Sequence, residues 1–277
     1  MDFLKFLKTA ALAAAVILPQ TVFASSDGPP LPKQTWGFQG IFGQFDNAAL
    51  KRGARVAVGV CMNCHSLKYI KFDSLKQIGF SEAEVIALAE GASLTKKDRM
   101  NSAMDANAAK DSFGVVPPDL SLMTKARKGY EDYTYGILNG YLTDAERKLV
   151  EQVMADDVIS EKELLEVSST LGLNAHQPEK VKEILKRILA NENFNKHFPG
   201  FFFAMPQPMT DGAVTNTDGV ENSLKQMSHD LTTFLAWTAE PTLMARKALG
   251  IKVMIYLVIF TIMLYAVKRR IWAKVHH

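Results

Sequence analysis

The 277-residue chain holds only two cysteines, Cys61 and Cys64, which excludes a disulfide-stapled scaffold and leaves no second cysteine pair to close a structural zinc site. A surplus of charge of one sign is missing too: 32 basic residues stand against 29 acidic ones, a net of +3, and nothing in that balance suggests a nucleic-acid partner. There is no internal repeat. With 48% hydrophobic and 22% charged residues, the chain can bury a real core and is neither collagen-like nor disordered.

What is present concentrates at the two ends and around the cysteines. Residues 1–24 carry Lys5 and Lys8, an apolar run from Ala10 to Leu18, and Val22-Phe23-Ala24 ahead of Ser25. The run is too short to span a bilayer and stops at Pro19, so it reads as a secretory signal removed after Ala24. The mature chain is then expected to work outside the cytoplasm. At the other end, Ala248 to Val267 is apolar except for Lys252 and long enough to cross the hydrocarbon core. Lys268, Arg269, Arg270 and Lys274 follow, with Trp272 among them, which places the C-terminus on the cytoplasmic side and the bulk of the chain outside. Setting aside Asp2, Lys5 and Lys8 lowers the net charge from +3 to +2, and setting aside the four basic tail residues leaves −2. The external part is mildly acidic and would attract basic partners.

Cys61-Met62-Asn63-Cys64-His65 is the attachment pattern for a c-type haem. Two thiols three residues apart can add to the two vinyl groups on one porphyrin edge, and the adjacent histidine then points at the iron. A thioredoxin-like dithiol needs no histidine there and expects a βαβ context. Beyond His65, the residues between signal and anchor offer His176, His197 and His229 and many methionines as a sixth iron ligand. Met100, Met104 and Met123 lie at distances common in small cytochromes. Met205 sits in Phe201-Phe202-Phe203-Ala204-Met205-Pro206-Gln207-Pro208-Met209, where prolines restrict the backbone and phenylalanines offer an apolar wall. Most methionines are core filler, so chemistry alone leaves the choice open.

Further motifs follow in a fixed order: Trp36 to Asp46, Ala49-Leu50-Lys51-Arg52-Gly53, Cys61 to Tyr69, Val116-Pro117-Pro118-Asp119-Leu120-Ser121, Ala126-Arg127, Glu131-Asp132-Tyr133, the Met205 loop, Met227-Ser228-His229-Asp230 and Phe234 to Pro241. Over residues 36–142 and 194–272 the chain closely resembles the cytochrome c1 family, the haem subunits of cytochrome bc1 complexes, in alphaproteobacterial and mitochondrial form. The resemblance implies Met205 as the sixth ligand, with Pro118, Arg127 and Tyr133 lining the haem and the last two near its propionates. It implies partners as well: cytochrome b, a Rieske iron–sulfur subunit as donor, a soluble or anchored cytochrome c as acceptor, and a dimeric complex in a bacterial inner membrane.

Two departures from the family pattern stand out. Ala57 occupies a position where the family usually carries tyrosine. Residues 143–193 replace what is a short connection in relatives. Thr143/Glu146 and Ser160/Glu163 read there as capping boxes, and Pro178 opens a third amphipathic run. Asp156-Asp157 lacks the glycine and spaced ligands of a calcium loop.

The expected architecture is mainly α: a cytochrome c-like haem domain with long loops, residues 25–240, containing a helical insert at 143–193, then an anchor and tail at 241–277. Helices are expected near 47–60, 64–69, 81–91, 119–128 and 131–140, with the anchor helix starting near Pro241. The expected function is one-electron transfer by a haem c with His/Met ligation. The isolated chain is not expected to be an enzyme; it would serve within a ubiquinol–cytochrome c oxidoreductase. An oxidase-tethered cytochrome, a haem gas sensor and an anchored thiol oxidoreductase are the other readings.

Overall fold

The computed structural model describes residues 29–155, 159–216 and 218–273, so the signal at 1–24, Asp156-Asp157 and Lys274 lie outside the described residues. The chain is mainly helical. Helix α1 (Asn47–Gly59) begins where the Asp46 carboxylate accepts from the Ala48 amide, 2.9 Å away. A 3-10 turn (Cys61–Asn63) follows, then strand β1 (Leu67–Lys71), a second 3-10 stretch (Phe72–Ile78) and α2 (Glu82–Gly91). Residues 64–69, expected to be helical, instead run from that turn into β1, which pairs antiparallel with β2 (Arg99–Met100). Leu67 and Ile70 are buried three residues apart, a spacing that a helical turn would also give, so periodicity over so short a stretch favours the wrong state.

Next come α3 (Ala106–Phe113), which the sequence reading did not foresee, the single turn α4 (Met123–Ala126) and α5 (Tyr130–Asn139). Segment 143–193 folds as α6 (Asp144–Val153), α7 (Glu161–Leu171) and α8 (Pro178–Leu189). Thr143/Glu146 and Ser160/Glu163 form reciprocal capping boxes, and Pro178 occupies the first turn of α8. Helix α9 (Leu224–Ala239) is the central element, packed on α1, α4 and α5. After a turn at Pro241-Thr242, α10 (Leu243–Trp272) extends out of the head.

The main core joins Leu50, Ala54 and Ala57 of α1 to Met227, Leu231 and Phe234 of α9, with Met62, Leu67 and Phe72 between them. Ala57 is wholly buried, so its small side chain belongs to the interface of packed helices. Close approach of α1 and α9 is set by Gly53, where a Cβ would stand 2.1 Å from the Asp230 carbonyl oxygen. One residue earlier, the buried Arg52 donates to both Asp230 oxygens (2.7 and 3.1 Å) and to Asp218 (2.7 Å). The carboxylates raise the guanidinium pKa further, Asp230 foremost, so the strut stays charged.

A second, separate core lies among α6, α7 and α8: Val150, Val167, Leu171, Val181, Leu185 and Ile188 close on one another. It does not end at residue 193. Phe194 is buried in it, and Phe201 and Phe202 pack against it from the following loop.

Candidate functional site

Met62 is buried in the main core and pins the middle of the Cys61–Asn63 turn; Cys61 packs partly buried against that core, and Cys64, just after the turn, is half-buried. The Cys64 and His65 amides both donate to the Cys61 carbonyl, at 3.1 and 2.8 Å, so the three residues form one tight unit. Residues 117–121 run beside it. Leu120 N donates to Ser66 O, and the Asp119 carboxylate accepts from the amides of Lys68 (2.9 Å) and Ser121 (2.9 Å). The Asp119 side chain thus splices two segments.

That splice puts the Pro118 carbonyl 2.7 Å from His65 Nδ1. A carbonyl only accepts, so Nδ1 carries the proton and Nε2 presents its lone pair. Burial pulls the imidazole pKa down, against the Pro118 bond and the Asp119 charge, and keeps the ring in its neutral form. A neutral imidazole whose other nitrogen is held by a backbone carbonyl is the form in which histidine binds a metal. The two thiols are free, and burial, followed by the neighbouring Cys64, pushes the Cys61 thiol up to about 12. That direction is opposite to the one a thiol–disulfide catalyst needs. Beside Cys64 lies a hollow of about 200 Å3, lined by Ser66, Met104, Val116, Pro117 and Asp119 among others. Val116, in its lining, is about half exposed. Two thiols, an oriented histidine and an open apolar rim fit a covalently held haem.

The remaining expected site residues stand on other elements. Arg127, exposed at the end of α4, lies near Tyr133 of α5; burial raises the Tyr133 pKa and the Arg127 charge opposes that. No hydrogen bond joins this pair to the Cys61–His65 unit among the described residues. Met205 is half-buried on a loop suspended from Tyr141, whose hydroxyl donates to the Met205 carbonyl (3.0 Å) and the Pro206 carbonyl (3.2 Å). Of the other methionines, Met100 and Met209 are buried in the main core and Met123 packs against it. His229 stacks on Trp36 with ring centroids 4.7 Å apart, and His197 Nδ1 sits 2.7 Å from the Pro30 carbonyl.

A family model described as the Cytochrome C1 family matches residues 36–275. The chain belongs to that family. Cytochrome c1 of Rhodospirillum rubrum is 34% identical over 98% of both chains. The mitochondrial cytochrome c1-1 haem protein of Solanum tuberosum is 30% identical, with 89% of this chain and 72% of the relative covered. A protein of Bradyrhizobium diazoefficiens named cytochrome b/c1 is 36% identical over 91% of this chain, which spans only 36% of that relative. Membership in the cytochrome c1 family makes the chain an electron-transfer haem subunit of the bc1 complex, with haem c as the implied group.

Sequence reasoning missed Tyr141 and Asn195. The Asn195 side chain is fully buried, donates to the Ile137 carbonyl (2.8 Å) and accepts from the His197 amide (3.0 Å), tying α5 to the approach of the Met205 loop. Nothing local in the sequence around Asn195 says that this residue turns inward. Tyr141 lies just after a helix end, where a hydroxyl carries no signal of what it reaches 64 residues away.

Proposed function

We propose that the chain binds one haem c through thioethers at Cys61 and Cys64, with His65 Nε2 and the Met205 thioether as axial ligands. The orientation of His65 by the Pro118 carbonyl carries this reading, since it fixes the tautomer that ligation requires. Support for Met205 over Met104 comes from how the two segments are held. Residues 102–103 are bonded to the cysteine turn itself, through Ala103 N on Met62 O and Ser102 Oγ on Asn63 O, whereas the Met205 loop hangs from Tyr141. A loop held independently of the cysteine turn could bring the second ligand to a haem fixed at Cys61 and Cys64, which the Met205 loop satisfies.

The bound group supplies a one-electron couple, and His/Met ligation places it at a higher potential than two nitrogen ligands would. The chain holds that group, orients the imidazole, excludes water and, through Arg127 and Tyr133, neutralises and hydrogen-bonds its propionates. Electrons come from a Rieske iron–sulfur protein and leave to a soluble or anchored cytochrome c, within a dimeric complex that contains cytochrome b. The fused cytochrome b/c1 relative supports the last partner. A signal at 1–24 exports the head, residues 25–240. Helix α10, long and apolar enough to cross a membrane, anchors it with the C-terminus in the cytoplasm.

Haem staining of denatured full-length protein tests the attachment. Replacing both Cys61 and Cys64 with alanine should abolish staining of the chain; staining that persists refutes the thioether assignment.

A further inference from the structure

The loop that carries Met205 does not rest on the main core. Phe202 pairs with Phe194 in an antiparallel bridge, the Phe203 amide donates to the Asn193 carbonyl (3.3 Å), and Asn193 Nδ2 donates to the Ala204 carbonyl (3.4 Å). All three residues preceding Met205 are therefore held by the short strip that follows α8. The Arg187 guanidinium of α8 lies 3.8 Å over the Phe202 ring and is kept there by three hydrogen bonds to the Glu192 carboxylate, at 2.6, 3.0 and 3.0 Å. On the opposite side, Lys196 pairs with Glu146 of α6.

The loop is held against its own preference. Phe201 has φ +68, a left-handed conformation that a bulky residue adopts only when its surroundings impose it. Those surroundings are the α6–α8 core, where the Phe201 ring stacks on Phe194 with centroids 5.8 Å apart and an interplanar angle of 7°.

We infer that segment 143–193 is a positioning device for the Met205 loop, acting through the Arg187–Phe202 stack and the Phe194 bridge. This rests on the reading of Met205 as an axial ligand. A thioether binds iron weakly, so its coordination depends on a loop that arrives already shaped. The acidic run of α6 and α7 also invites the view that the segment steers a basic partner. That view leaves unexplained why its core continues into the residues preceding Met205.

The test uses full-length protein with haem attached. Phe202→Ala and Arg187→Gln should keep haem stoichiometry while shifting the ratio of ligated to unligated methionine by about tenfold, the scale that a partly desolvated cation–π contact supports. That shift is read as weakening of the thioether-to-iron charge-transfer band and as carbon monoxide binding by the ferrous protein. Loss of the Arg187 charge alone would change the potential but move neither readout. Phe202→Tyr, which retains the ring, should behave like the parent. Should Phe202→Ala fail to accumulate, Arg187→Gln decides the question, because that side chain is 40% exposed and its loss leaves the core intact. If Met205→Leu admits carbon monoxide while Arg187→Gln excludes it and keeps the band, the positioning role is overturned. If Met205→Leu itself keeps the band and excludes carbon monoxide, the ligand reading fails and the positioning role falls with it.

Discussion

At the scale of single residues, burial separates methionines that sequence spacing leaves equivalent. Met209 is 3% exposed within the main core, whereas Met205 keeps a partly open side chain four residues earlier. Met205→Leu should therefore lower the reduction potential and open an iron coordination position. Met209→Leu, a swap of similar volume, should cost less than about 1.5 kcal/mol of stability and leave the potential unchanged. Redox titration and thermal melting of the two variants check this; a reversed pattern moves the ligand to Met209. A second residue-scale prediction concerns acid. Lys51, with Nζ 2.8 Å from the carboxylate, and next the Ser81 amide hold Glu84 at a pKa of about 2. A folded-state value below the unfolded one stabilises the fold at pH above the ordinary carboxylate range, and the contribution is lost as pH falls from there toward about 2. Glu84→Gln should flatten the decline in melting temperature over that window and leave neutral pH less stable than the parent. Equal slopes for parent and variant would show that the pair contributes nothing.

Among the elements, the tightest constraint is the crossing of α1 and α9. Gly53→Ala would drive a methyl into the Asp230 backbone, which cannot rotate away, so the helices must separate and the Arg52–Asp230 pair must stretch. The expected loss is about 2–3 kcal/mol, typical of forced overpacking, seen as a lower denaturation midpoint with haem still attached. A melt equal to the parent would show that α1 shifts freely. The same elements show how far sequence alone reaches. Capping boxes announced α6 and α7 because serine or threonine followed three residues later by glutamate states a local hydrogen-bond pattern. The expectation of haem attachment at Cys61–His65 is as local, since the pattern is contained in five consecutive residues. Segment 64–69 was misjudged because β1 is defined by its partner β2, about 30 residues away. The continuity between the α6–α8 core and the Met205 loop was invisible for the same reason: Phe201 and Phe202 read as a wall for the haem, and only packing shows which way they turn.

At the scale of the whole molecule, head and anchor are joined more firmly than the boundary expected at residue 240 suggests. Lys247, in the second turn of α10, donates to the Phe38 carbonyl (2.6 Å) and the Gly43 carbonyl (2.9 Å), Arg246 pairs with Glu240, and Leu243 packs against the Trp36–Phe38 cluster. Truncation after Glu240 should loosen residues 36–45, whereas truncation after Gly250 should keep them ordered. Limited proteolysis of the two products, each checked for bound haem, distinguishes them, and equal cleavage rates would show that the α10 contacts are dispensable. The Lys247 clamp also decides how the head meets the molecules that come to it. A soft tether would let the head swing through a wide cone, leaving each encounter to chance in angle as well as in distance. With α10 as the membrane anchor proposed above, a helix bolted to the loop at Phe38 and Gly43 would act as a bracket, and its load would keep a set tilt with respect to the membrane surface. Under that proposal aim would be inherited from the anchor, and the remaining angular search would fall to the visiting partner.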